Sequence, residues 1–336
     1  MTITTLRDVL WAFAQSLQIS SFLPASLLVF VNAYIVVPQL VAVDLESAPG
    51  LITLAGCSIL VSYILYAFNF PVIRFLEGYK LQEEEILQYM LARNRRHFDD
   101  LVEKLEELDL ERERILNIVG HDLNSPDTVA APEIKARWQQ VILEMARIGR
   151  ELDLYYPSMK AAVLPTKLGN VIRAFEGYPA NRYGMDAVAL WPRLVPLLKK
   201  SDYLPFVTQE KSIFDFLLNM LLVVGVLGVE LVYLEVFLGQ LIFAGILFLS
   251  VSLIVLILYR GLVVAARQWG TTVRVAFDLH RFHLHGQLGV EPTSSSEEDF
   301  ILWQQVSSFL IYANENGGFS KFLASSTVNQ NEGVNR

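Results

Sequence analysis

The stretch SIFDFLLNMLLVVGVLGVELVYLEVFLGQLIFAGILFLSVSLIVLILY occupies residues 212–259 and contains no lysine or arginine. A second window, residues 8–73, also lacks both residue types, so all 27 lysines and arginines of the chain lie outside the two windows. A soluble domain would place basic residues on its wet faces. A single crossing of the hydrocarbon layer needs about 20 residues. Each window therefore predicts a transmembrane hairpin, and a polar region separates the two.

The composition agrees with membrane insertion. Of the 336 residues, 53% are apolar and 18% are charged, whereas soluble domains carry about 25% charged residues. The mean hydropathy is +0.39. A net charge of −8 argues against nucleic acid as a partner. Cys57 is the sole cysteine, which excludes a disulfide framework and cysteine-rich metal sites. The N-terminus lacks the charged segment and small-residue cleavage site of a removable signal peptide.

The fold class that follows is an all-α integral membrane protein with four transmembrane helices in two hairpins and a cytoplasmic helical-hairpin domain. The four predicted spans are residues 22–43, 51–75, 213–234 and 237–259. The short connectors near residue 47 and Glu235 separate the spans of each hairpin.

Five regions are predicted along the chain. Residues 1–76 hold an amphipathic helix (5–20) and the first transmembrane hairpin, and residues 77–211 form the cytoplasmic helical domain. Residues 212–262 form the second hairpin, residues 263–313 form juxtamembrane and C-terminal amphipathic helices, and residues 314–336 form a disordered tail.

Basic residues set the orientation. Arg74 and Lys80 follow the second span, Lys211 precedes the third, and Arg260 follows the fourth, while both short connectors lack basic residues. The positive-inside rule then places both termini and the central region in the cytoplasm. The predicted location is the plasma (inner) membrane, with the chain crossing it several times.

The cytoplasmic domain is predicted to open with a stalk hairpin, residues 80–157, in which two helices pack like a coiled coil. Its first helix should continue the second span, apart from a kink at Pro71. Asn94 and Arg112 occupy seam positions where polar residues fix register or oligomeric state. The apolar seam of the first helix comprises Leu91, Phe98, Leu101, Leu105, Leu108, Ile115 and Val119. That of the second comprises Ile134, Trp138, Val141, Met145, Ile148, Leu152 and Tyr155.

Residues 164–198 are predicted to form an elbow that returns the chain to the bilayer. Two short helices should meet at residues 177–179, where glycine and proline disfavour helix. Beyond the fourth span, apolar residues at helical spacing predict that the helix continues to Phe277. Residues 297–313 predict a further amphipathic helix.

Two histidine-containing segments suggest chemistry that the rest of the chain does not support. Residues 119–126, VGHDLNSP, resemble the phospho-accepting box of sensor histidine kinases, but no asparagine box or glycine-rich ATP-binding box follows. A polar turn is the favoured interpretation. His280, His283 and His285 do not share one helical face, so an interfacial helix is favoured over a metal site.

Two sets of polar residues are the candidate functional groups. Glu230 is an acid within the third span, and ionisable residues within a membrane often have a functional role. Its position near the outer end of the span also fits contact with lipid headgroups. Lys167, Asn170, Arg173 and Glu176 recur every three residues along one helix side. They predict either a cluster for an anionic ligand or lipid headgroup, or salt-bridged packing.

The segments LPTKLGNVIRAFEGYP (164–179) and RYGMDAVALWPRL (182–194) resemble a set of bacterial multi-span membrane proteins. That resemblance implies membrane insertion and no particular activity. Nucleotide-binding, zinc-protease and serine-hydrolase motifs are missing from the sequence, so no catalytic residue, cofactor or metal is predicted.

The predicted function is a non-enzymatic homo-oligomer in the lipid bilayer. It would act as a scaffold or signal-coupling element that presents its helical hairpin to a cytoplasmic protein partner. The alternative is an oligomeric ion channel or pore gated by the cytoplasmic domain.

Overall fold

The computed structural model describes residues 19–36, 38, 47–78, 85–119, 132–291 and 293–312. These ranges form helices and contain no strand, as the sequence predicts. The α-helices are α1 (Ile19–Val31), α2 (Ala48–Glu77), α3 (Glu85–Val119), α4 (Pro132–Tyr155), α5 (Lys167–Tyr183), α6 (Ala187–Lys200), α7 (Leu204–Phe237), α8 (Leu241–Leu288) and α9 (Ser296–Tyr312). A π-helical turn, Asn32–Val36, follows α1, and a 3₁₀ turn, Lys160–Ala162, precedes α5.

The chain divides into two compact units. The apolar unit comprises residues 1–75 and 204–272, and the polar unit comprises residues 76–203 and 273–336. Helix α8 is uninterrupted and contributes residues to both.

Three helices, α2, α7 and α8, are long and apolar enough to cross a membrane. Their apolar side chains are largely uncovered, and only 6% of the most apolar window of α8 is buried within the structure. In water such a surface would be strongly unfavourable, at about 25 cal/mol for each Å² of apolar area. Lipid removes that cost, so the three helices indicate insertion into a membrane.

The first predicted span is only partly covered by the described residues. Its described helical part is residues 20–36, and the predicted helix at 5–20 lies almost wholly outside the described residues. Seventeen residues reach about 26 Å at 1.5 Å per residue, slightly less than the ~30 Å of a hydrocarbon core. The fourth crossing therefore stays a prediction. The connector predicted around Glu235 lies instead at residues 238–240, between α7 and α8.

The prediction that the second span continues into the stalk is wrong. Helix α2 passes through Pro71 but ends at Glu77, and Gly78 adopts a left-handed backbone with φ of 87°. A Cβ atom at Gly78 would lie 2.6 Å from Cγ of Pro165. The Thr166 hydroxyl also donates to the Glu77 carbonyl oxygen, at 3.2 Å. A contact with the elbow, which periodicity cannot reveal, therefore ends the helix.

The stalk is an antiparallel pair of helices that pack through the predicted seam. Near one end Phe98 and Leu101 of α3 meet Ile148 of α4, and farther along Ile115 meets Trp138 and Val141. Other seam residues pack against these two clusters, namely Leu91, Leu105, Leu108, Val119, Ile134, Met145, Leu152 and Tyr155. The heptad pattern thus identifies the contacting faces of both helices correctly.

The polar seam residues make contacts within the chain. The side-chain amide of Asn94 donates to the carbonyl oxygens of Leu164, at 3.1 Å, and Pro165, at 2.8 Å. Arg112 pairs with Asp109, one turn earlier on the same helix, at 2.8 Å. Asn94 therefore fixes the elbow to the stalk, a role that its heptad position did not predict.

The predicted break at Gly177–Pro179 is also wrong, because α5 runs through both residues. The chain turns instead at Gly184, whose φ is 74° and whose N–H bonds to the Ala180 carbonyl oxygen at 3.0 Å. A Cβ atom at Gly184 would collide with the Phe300 carbonyl oxygen of α9. Asp186 then caps α6 by accepting the Ala189 N–H at 2.8 Å. The position of α9 thus determines which glycine forms the turn.

Candidate functional site

Polar side chains join α1 to α7 at two levels of the apolar unit. Asn219 of α7 is fully buried, and its amide donates to the Ser20 carbonyl oxygen at 3.3 Å and the Ser21 hydroxyl at 3.1 Å. Three turns farther along α7, Glu230 accepts a bond from Asn32 at 3.0 Å. Hydrogen bonds between apolar helices specify which faces pack together.

The structure accounts for Glu230, the predicted intramembrane acid, as a helix-contact residue. Its partner Asn32 also donates to the Leu28 carbonyl oxygen at 3.1 Å and begins the π-helical turn after α1. The π-helical turn departs from α-helical geometry at the residue that reaches Glu230. Glu230 therefore faces a partner within its own chain.

Asp215 is an acid that the sequence analysis overlooked. Only 1% of its side chain is exposed, and one carboxylate oxygen accepts a bond from Lys211 at 2.6 Å. The Lys211 ammonium lies 5.8 Å from the Trp269 ring centroid, and Phe214 packs on the same ring. The signal was present in the sequence, because an acid four residues after a lysine lies on the same helical face.

The predicted cluster of Lys167, Asn170, Arg173 and Glu176 does not converge on one surface. Asn170 is buried and bonds both ways to the backbone of Leu164, accepting its N–H at 2.6 Å and donating to its carbonyl oxygen at 3.0 Å. Lys167 is exposed. Arg173 and Glu176 approach each other at 3.9 Å. Asn170 thus fixes the turn before α5, while the charged members lie at the surface.

A cluster centred on Asp278 joins α5 to α8 within the polar unit. Its carboxylate accepts the hydroxyl of Tyr178 at 3.0 Å and that of Tyr183 at 2.5 Å. The Arg281 guanidinium lies 4.2 Å from the Tyr183 ring centroid. Burial, and then the bond to Asp278, raise the pKa of Tyr178, so its hydroxyl stays protonated and donates. We call Tyr178, Tyr183 and Asp278 the Asp278 cluster.

Arg274 joins α8 to the stalk helix α4. Its guanidinium donates to the Asp153 carboxylate at 2.7 Å and to the Asp153 carbonyl oxygen at 2.6 Å. Its side chain is 9% exposed and lies 4.9 Å from the Tyr178 ring centroid. Helix α8 is thus bonded to both α4 and α5. Spacing along the sequence could not predict these pairs, because their members lie about a hundred or more residues apart.

The histidines of α8 do not converge on one site: the His280 and His283 ring centroids lie 5.9 Å apart, whereas His285 contacts α9. His285 is buried, with Nε2 at 3.0 Å from the Asp299 carboxylate and its ring against Trp303. His280 lies 3.4 Å from the Ser201 hydroxyl. Over the described residues, no group of three or more His, Cys, Asp or Glu side chains is placed to hold a metal ion. The kinase-like segment, residues 119–126, lies almost wholly outside the described residues.

Comparison of the chain with protein-family models, with curated proteins and with solved structures finds no match. Any function must therefore be inferred from the contacts within the chain. Their central feature is the set of bonds that attach the C-terminal half of α8 to α4 and α5.

Replacing Asp278 with alanine should loosen that attachment. The two half-buried tyrosine hydroxyls would lose their charged acceptor, and one hydrogen bond to a charged group contributes about 1.5–3 kcal/mol. Hydrogen exchange on the full chain should show faster exchange in α5, consistent with a loss of about 2–4 kcal/mol. Glu291→Ala, at an exposed position, serves as control. Equal exchange in both variants would contradict a stabilising role for the Asp278 cluster.

Proposed function

We propose that this chain is a non-enzymatic protein of the plasma (inner) membrane that oligomerises and couples its membrane part to a cytoplasmic partner through the stalk. The observation that carries the proposal is the continuity of α8. One helix, Leu241–Leu288, contains the most apolar of the three candidate membrane spans among the described residues, and its C-terminal part bonds to α4 and α5. An uninterrupted helix transmits displacement because its backbone bonds do not break.

The contacts of the polar unit extend this route to the stalk. The Asp278 cluster holds α8 to α5, and Arg274 holds it to α4. Helix α4 packs against α3 through the two apolar clusters. A movement of α8 along its axis would therefore reach both stalk helices through bonded or packed side chains.

The stalk also offers a surface for a partner or a second copy. Large apolar side chains stand exposed outside its seam, including Ile118 at 74% and Leu143 at 71%. Exposed apolar side chains of this kind are candidates for contact with another molecule. By contrast, Asp215, Asn219 and Glu230 of α7 each form a hydrogen bond within the chain, which favours a packing role for these three residues over an ion path.

Leu143→Glu tests the proposal. The side chain is exposed, so the fold should persist, whereas the charge should disrupt self-association and capture of a cytoplasmic partner. Size-exclusion chromatography with light scattering should show a smaller particle than the parent protein gives. Val188→Glu, which changes an exposed apolar residue of α6, should leave the particle size unchanged.

Planar-bilayer recordings on the parent protein complete the test. The coupling proposal expects no current at any applied voltage. A reproducible conductance that changes with Glu230→Gln would instead establish the channel alternative. A monomeric parent protein that captures no cytoplasmic partner would overturn the coupling proposal.

A further inference from the structure

A groove lies between the two stalk helices and α5, within the polar unit. Its volume is about 490 Å³, inside the range of roughly 300–1,000 Å³ found for small-molecule sites. Phe98, Val102 and Leu105 supply the α3 wall, and Leu152 faces the groove from α4. The floor of the groove is therefore apolar, and Val102, Leu105 and Leu152 keep part of their surface open.

The α5 wall changes character along its length. Ala174, Tyr178 and Asn181 line it at spacings of four and three residues, so they share one helical face. Arg182 completes the wall at the C-terminal end of α5. The groove thus has apolar walls along its length and a polar group of residues at one end.

The polar end carries an exposed guanidinium group. Asp153 is the acidic residue among the groove's described walls, and Arg274 neutralises it at 2.7 Å. Arg182 is exposed and forms no direct ion pair among the described residues, and it hydrogen-bonds the Tyr183 hydroxyl and lies near the Asp278 carboxylate. Its guanidinium lies 5.9 Å from the Tyr178 ring centroid, which places it beside the groove. An arginine in this setting is suited to a carboxylate, which it can bind through two parallel hydrogen bonds.

We propose that this groove binds a fatty carboxylate, with the head group at Arg182 and Asn181 and the acyl chain against the α3 wall. The ligand must be apolar along its length, because the α3 wall supplies only apolar side chains. An extended peptide would leave its backbone polar groups unpaired there. A protein embedded in a bilayer also encounters single-chain amphiphiles directly. The inference does not depend on the coupling function.

Calorimetric titration of the full chain in phosphatidylcholine nanodiscs tests the inference, with empty nanodiscs subtracted to remove partition into lipid. Dodecanoate is the probe, and dodecanol and dodecyltrimethylammonium supply the same chain with a neutral or a positive head. Saturable binding is expected for dodecanoate, with binding of the other two weaker by about tenfold or more. Arg182→Gln should weaken dodecanoate binding about tenfold.

Two further variants separate the head group from the chain. Arg173→Gln removes an exposed arginine of the same helix outside the groove and should leave the affinity unchanged. Val102→Trp should fill the groove and abolish saturable binding, without touching the arginine. Equal binding of all three probes, or dodecanoate binding unaffected by both Arg182→Gln and Val102→Trp, would overturn the proposal.

Discussion

Replacing Ile148 with aspartate should unfold the stalk hairpin, at a cost of more than about 4 kcal/mol. The Ile148 side chain is fully buried and packs with Phe98, Leu101, Tyr156 and Val163. Truncating such a residue costs about 2–5 kcal/mol, and the carboxylate adds the penalty of an unpaired buried charge. Hydrogen exchange on the full chain should show loss of protection throughout α3 and α4.

Gln139→Asp is the matched control, because it introduces the same charge on the same helix at an exposed polar position. Surface substitutions of this kind usually change stability by about 0.5 kcal/mol or less. Protection in α3 and α4 should therefore stay near that of the parent. If Ile148→Asp left protection as high as Gln139→Asp does, the seam would not hold the stalk together.

The stalk shows which contacts hydrophobic periodicity predicts and which it does not. The seven-residue repeat of apolar side chains identifies the faces of α3 and α4 that pack together, because packing removes both apolar faces from water. It does not reveal that Val163 completes the cluster around Ile148, or that Asn94 bonds to the backbone at Leu164. Both contacts come from chain beyond residue 157, so a fragment ending there would lack part of its own core.

The two misplaced helix ends have a common cause. Gly177 and Pro179 disfavour helix locally, yet α5 continues through them and ends before Gly184. Conversely, α2 ends before Gly78, although the sequence predicts that this helix continues into the stalk. At both turns the glycine lies against another element, Pro165 for Gly78 and Phe300 for Gly184. Local propensity identifies the residues at which a helix could end, and tertiary contacts determine at which of these residues it does end.

The candidate site was less accessible to sequence reasoning than the fold. Asn170 shares a three-residue spacing with Lys167 and Arg173, and spacing alone could not show that it points into the interior. Tyr178 and Asp278 are separated by one hundred residues, so no local pattern joins them. Polar contacts between distant segments depend on how helices dock, which apolar patterns specify only coarsely.

Thiol labelling should show an all-or-none difference between the two sides of the membrane. In a Cys57→Ser background, Ser47→Cys and Gln240→Cys should react with an impermeant maleimide in intact cells, because basic residues avoid both connectors. Ser158→Cys is exposed in the polar unit and should react only after the cells are permeabilised. Labelling at position 158 but not at position 47 in intact cells would reverse the orientation.

Thiol labelling in the same Cys57→Ser background tests whether the segment around α1 crosses the bilayer. Three helices are long enough to span by themselves, whereas the described part of the first apolar segment reaches only about 26 Å. With position 47 outside, a crossing by that segment places the N-terminus inside, and its failure to cross places the N-terminus outside. Thr2→Cys should therefore be protected in intact cells and react after permeabilisation. Reaction at Thr2→Cys before permeabilisation would reduce the chain to three spans and put its termini on opposite sides.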